Sequence, residues 1–136
     1  MSKGQISLEF LVVLFAMLAI LLVFMPVFSK LYSAVLLAVD TYNASNSLQE
    51  LKTNVSMLST LEQGSSFTFD LKFIHNVDFI CQNRTMEFDI YSNLKTKKLS
   101  SKIQLNCNFH FNLKGKETFM ANKISTKDLN IYRIFN

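Results

Sequence analysis

The chain is decided by Lys3-Gly4-Gln5-Ile6-Ser7-Leu8-Glu9 and the run that follows without a break from Phe10 to Phe28, FLVVLFAMLAILLVFMPVF. No residue from Phe10 to Ser29 carries a formal charge. At a rise of about 1.5 Å per residue these twenty residues span about 30 Å as a helix, the thickness of a bilayer's hydrocarbon core. One membrane-spanning helix is therefore predicted. Glu9 stands at its start. An intramembrane carboxylate costs ~2.5–3.5 kcal/mol to insert at the centre of a bilayer and less near an end, so its presence calls for a function.

An ordinary secretory signal does not fit. The basic leader Met1-Ser2-Lys3-Gly4 is very short, and the apolar run closes on Phe24-Met25-Pro26-Val27-Phe28 with no small-x-small site. A glycine, a polar residue, a serine and a glutamate precede the run instead, placing a cleavable bond on the cytoplasmic side and leaving the helix attached to the mature chain.

Gly4-Gln5-Ile6-Ser7-Leu8-Glu9-Phe10 resembles the class III signal peptide of archaeal type IV pilin-like proteins, whose motif is Gln-x-Ser-x-Glu and, after three further residues, Leu. Val13 holds that last place here. The resemblance covers about the first thirty residues. It implies that a membrane-embedded, aspartate-type prepilin peptidase cuts between Gly4 and Gln5, so that Glu9 becomes the fifth residue of the mature chain. It further implies that the helices leave the membrane lipid through a membrane-embedded assembly platform and pack with other pilin subunits into a filament core. Physical reasoning adds a role for Glu9: a carboxylate in an apolar bundle needs a partner, and the freed ammonium of Gln5 on a neighbouring subunit supplies one. The alternative is that Glu9 sits at headgroup level and reaches water. In related pilins a proline near position 26 accompanies local melting of the helix; the other reading of Pro26 is a kink, from one lost helical hydrogen bond.

Beyond the membrane segment, Leu31, Val35, Leu37 and Val39 continue an apolar face, and Leu48, Leu51, Val55, Leu58 and Leu61 recur at three- and four-residue intervals. An amphipathic helix to Gly64 is predicted. Thr41 to Ser47 is its weakest part, because Thr, Asn and Ser side chains compete for backbone hydrogen bonds. After Gly64 the period becomes two. Phe67, Phe69, Leu71 and Phe73 alternate with Thr68, Asp70 and Lys72; Met86, Phe88 and Ile90 alternate with Glu87 and Asp89; Ile103 to Leu113 forms the longest such run. Lys114-Gly115-Lys116 reads as a hairpin turn into Glu117–Ala121, and 130–135 as a last strand. Nine of the thirteen phenylalanines lie in this region at mostly strand spacing, which points to core packing.

The predicted fold is α+β: a leader at 1–4, an apolar filament-core helix at 5–29, an amphipathic continuation at 30–64 and a β-rich head at 65–136, together a lollipop-shaped pilin architecture with an antiparallel sheet packed on the outer part of the helix. A head of about seventy residues is near the size at which a core suffices by itself. Its two cysteines, Cys81 and Cys107, are the chain's only ones. A disulfide between them is the favoured reading and implies oxidising surroundings. Free buried thiols, or a metal site with His75 and His110, are the others, though His75-x5-Cys81 and Cys107-x2-His110 do not match zinc spacings.

Three sequons at Asn43, Asn54 and Asn83 lie beyond the membrane segment, as N-glycosylation of an exported glycoprotein requires. Lys3 on the short side of the helix fits the positive-inside rule. From Ser65 onward eleven Lys/Arg stand against six Asp/Glu, with Lys95, Lys97, Lys98 and Lys102 grouped together. A solvated basic loop explains this group, an anionic partner such as a surface glycan being the alternative; no nucleic-acid module accompanies it. With glycine only at positions 4, 64 and 115 there is no phosphate loop, and no catalytic, cofactor or metal spacing stands out.

The sequence thus predicts a non-enzymatic structural subunit, a major or minor pilin of an archaeal surface filament used for adhesion. It would be made as a membrane-anchored precursor with its head outside the cell. The alternative is an uncleaved single-pass membrane protein whose outward head binds a ligand or partner.

Overall fold

A computed structural model describes residues 3–134, with side chains from residue 8 onward. Gly4, Gln5 and Ser7 belong to the backbone of the first helix, but their surroundings lie outside the described residues, as does Phe135 of the expected last strand. The chain divides into two compact units, Met1–Ala34 and Val35–Asn136.

Helix α1 is assigned from Lys3 to Thr60. In the first unit it is the only described element, and it continues through Pro26. Every described residue from Leu8 to Tyr32 is exposed.

In the second unit α1 buries one stripe, Leu37, Asp40, Ala44, Leu48, Leu51, Val55 and Leu58, at steps of three and four. Val35, Val39 and Leu61, expected on the apolar face, are exposed. The Thr41–Ser47 stretch stays helical because tertiary contacts outweigh its weak propensity: Ala44 is wholly buried, and the Thr41 hydroxyl donates back to the Leu37 carbonyl at 2.7 Å. The helix ends at Thr60, and Gly64 takes a left-handed φ of 86° in the turn that leads to the sheet.

Five antiparallel strands follow, β1 (Ser66–Gln82), β2 (Thr85–Tyr91), β3 (Thr96–Lys102), β4 (Asn108–Lys123) and β5 (Leu129–Ile134), in the order β3-β2-β1-β4-β5. Their alternation sends Phe69, Leu71, Phe73, Val77, Phe79, Met86, Phe88, Ile90, Leu113 and Phe119 into one core with the α1 stripe. Phe79 stacks on Phe88 at 4.6 Å and meets Phe109 edge-on at 4.8 Å, offset and T-shaped contacts that aromatic quadrupoles favour.

Several strand expectations are corrected. The Phe67–Phe73 alternation is not a whole strand: β1 runs on past Phe73, through a bulge between Phe73 and Val77, to Gln82. Lys114-Gly115-Lys116 is not a hairpin turn: β4 runs straight through, and Gly115 lies opposite Phe73 where the bulge begins. Three residues of β1 face one of β4 there, and the sharp local twist is met by the φ of 87° that glycine adopts without strain. Residues 103–107, alternating in sequence, lie outside the named strands, with Asn106 forming a parallel bridge to Asp128. The lysine-rich stretch expected to be turn is instead largely strand, β3, an edge of the sheet. Lysine on an edge strand discourages further pairing.

Candidate functional site

Each unit carries its own candidate features. In the first, Glu9 and Lys30 are the charges that bracket the apolar helix, with the stretch between them wholly uncharged. The helix is long and apolar enough to cross a membrane and could anchor the chain in one. Leu22 and Met25 are 71% and 70% exposed. Such a surface is stable in lipid or against other apolar helices, and costly in water.

In the second unit the cysteines are bonded to each other: Cys81 and Cys107 form a disulfide with Cα atoms 5.6 Å apart. Cys81 lies near the end of β1, and Cys107 directly before β4, one residue ahead of the paired segment. The thiol and metal alternatives fall with this bond. His75 sits on Asp40 and His110 on Asp78, so neither histidine joins the cysteines.

The bulge has a partner that the sequence reading missed. Asp40, wholly buried on α1, accepts the backbone N–H groups of Ile74 and His75, both at 2.8 Å, and the His75 ring nitrogen Nδ1 at 2.8 Å. A bulge leaves backbone donors without a ladder partner, and a buried carboxylate needs several donors; each satisfies the other. The readable signal was its place: Asp40 interrupts the spacing Leu37, Ala44, Leu48, where an apolar residue was due.

Lys123 is a second buried charge. Its ammonium donates to the carbonyl oxygens of Ser59, at 2.8 Å, and of Leu61. Ser59 is in the last turn of α1 and Leu61 lies directly past its end, where unpaired acceptors and the negative end of the helix dipole favour a cation.

The sheet face turned away from α1 carries a polar network. Asp78 accepts from Asn112 at 2.8 Å and from the Tyr91 hydroxyl at 3.0 Å. Burial pushes its carboxyl up, but the bonds from Asn112, Tyr91 and His110 outweigh this and hold it below the usual range. Tyr91 is raised by donating to the same carboxylate. Lys98 reaches Asp89 at 2.9 Å and Glu87 at 3.0 Å, bonds that hold its ammonium well above the usual lysine range. Lys98 is thereby neutralised within the group of four lysines, and the stretch is less basic than its sequence implies.

The sequons are placed differently from one another. Asn43 and Asn54 are half-buried residues of α1, and the Asn43 amide donates to the Lys72 carbonyl at 3.3 Å. Asn83 is exposed in the two-residue turn between β1 and β2.

Comparison with known proteins gives no relative: no protein-family model, no curated protein and no solved structure matches this chain.

Proposed function

We propose that the chain is a structural subunit of an archaeal type IV pilus-like surface filament, a pilin processed between Gly4 and Gln5 that polymerises through its N-terminal helix and serves adhesion or surface contact. The observation that carries this reading is the combination of Gly4-Gln5-x-Ser7-x-Glu9 with a charge-free helix whose apolar side chains are exposed all round. A helix used only as an anchor needs no carboxylate at its start. A helix that must pass from lipid into a bundle of copies gains register and a partner from one. The second unit, stapled by its disulfide and able to bury a core with the outer part of α1, is the part that would stand on the filament surface. Its disulfide suits the oxidising side of the membrane.

The test is the N-terminus of the protein recovered from the cells that make it. Intact mass should place it at Gln5, four residues short of the translated chain, in material that sediments as filaments. An N-terminus at Met1 in protein confined to the membrane would replace this reading with that of an uncleaved single-pass protein.

A further inference from the structure

The three sequons share the Asn-x-Ser/Thr pattern, with Ser45, Ser56 and Thr85 at the third place, and are unequal in structure. We infer that Asn83, and neither Asn43 nor Asn54, is the acceptor of an N-linked glycan, an inference that rests on export of the sheet domain as proposed above. The reaction joins the side-chain amide nitrogen of asparagine to the anomeric carbon of a lipid-phosphate-linked oligosaccharide. The new C–N bond replaces the sugar's C–O bond to phosphate, the lipid phosphate leaves with that electron pair, and the amide gives up one proton. The amide nitrogen must therefore be reachable, and the hydroxyl two residues on must be presented beside it.

Asn83 meets the first need. Gln82 and Thr85 close the β1–β2 hairpin, so Asn83 and Arg84 are its two loop residues, with φ of 47° and 71°. Two consecutive positive φ values define the type I′ turn, in which asparagine is favoured at the first place. The Asn83 side chain is exposed at this tip, and Thr85 opens β2. Arg84 anchors the turn by donating to the Asn106 side-chain oxygen at 2.8 Å, which leaves Asn83 outward.

The other two sequons lie within α1, where successive residues are closed by helical hydrogen bonds and cannot open into the loop an enzyme must grip. Asn43 also spends its amide nitrogen on the Lys72 carbonyl, and Asn54 is followed by the wholly buried Val55. A glycan attached to either before folding would have to leave the interface between α1 and the sheet. One attached to Asn83 leaves from an exposed turn beside a cleft of about 510 Å³ that Asn83 helps to line. Asn106, Asn108, Asp128 and Asn130 line that cleft, amide and carboxyl groups that can bond sugar hydroxyls next to the acceptor.

The experiment is peptide mass mapping of the full chain from its native cells, paired with labelling of intact cells by a membrane-impermeant amine reagent aimed at exposed Lys95 and Lys97. We expect both lysines to label and the Asn83 peptide alone to carry added sugar mass. That mass should vanish in Asn83→Gln and Thr85→Val, persist in Thr85→Ser, and persist in Asn43→Gln and Asn54→Gln. An unmodified Asn83 in chains whose lysines label, or sugar on Asn43 or Asn54, overturns the inference while export stands. Lysines that label only after lysis overturn export and the inference with it.

Discussion

Asp40 of α1 and His75 of β1 are bound to each other twice, through the histidine's backbone N–H and its ring Nδ1, each 2.8 Å from the same carboxylate oxygen. The other carboxylate oxygen holds the N–H of Ile74. One side chain thus fixes where the helix meets the bulge.

Asp40→Ala should leave these donors without a partner in a buried place and destabilise the folded sheet domain by about 3 kcal/mol, within the range for unsatisfied buried groups. Asp40→Asn keeps one acceptor oxygen and should cost about half as much. Thermal unfolding of the full chain in detergent micelles, followed by the β-sheet circular dichroism band, measures both; an unchanged midpoint for Asp40→Ala would remove the role.

The disulfide closes a loop of 26 residues, for which the chain-entropy account gives about 3 kcal/mol or slightly more. Protein isolated without reductant should show no alkylatable thiol after denaturation. Cys81→Ser/Cys107→Ser should unfold at lower denaturant, with a steeper transition because the uncross-linked unfolded chain is less compact. Equal midpoints for the two proteins would show that the bond contributes nothing.

Acid should act through three carboxyls, two of them on the outer sheet face. The Asp70 carboxyl is lowered by bonds from Lys116 and Thr118, and Asp128 by bonds from Ser125 and Asn106; Asp78 is lowered in spite of its burial. A carboxyl lower in the folded state than in the unfolded chain adds stability that is present above the unfolded value, about 3.9, and is lost as pH falls through the folded value. Stability should therefore decline as pH drops below about 4. Asp78→Asn should lessen that decline, and a pH series of melts on both proteins compares them; parallel curves would exclude Asp78.

Glu9→Leu should insert in the membrane as well as the native chain, since it removes a polar group from the helix. In the proposed filament, incorporation should drop tenfold or more, because there an ammonium at Gln5 left unpaired in an apolar bundle would cost about 3–5 kcal/mol. The measurement is the ratio of sheared filament protein to membrane protein in a blot. A ratio equal to the native one would leave Glu9 without a part in assembly.

The sequence by itself determined what depends on local composition and period. Phe10–Ser29 announced an apolar helix, the change of spacing after Gly64 announced strands, and Cys81 and Cys107, as the only cysteines, pointed to a bond between them. Only the tertiary structure decided which strand each residue joined. Lys114-Gly115-Lys116 looks like a turn over its own few residues, yet pairing with the whole of β1 holds both flanks in one strand, and Gly115 serves the bulge. Two of the buried charges, Asp40 and Lys123, were hidden for the same reason. Asp40 answers donors 34 and 35 residues away, and Lys123 answers carbonyls 64 and 62 residues away. Hydrogen bonds between groups so far apart leave no period in the chain, since what makes each charge tolerable when buried is a partner that only folding brings near.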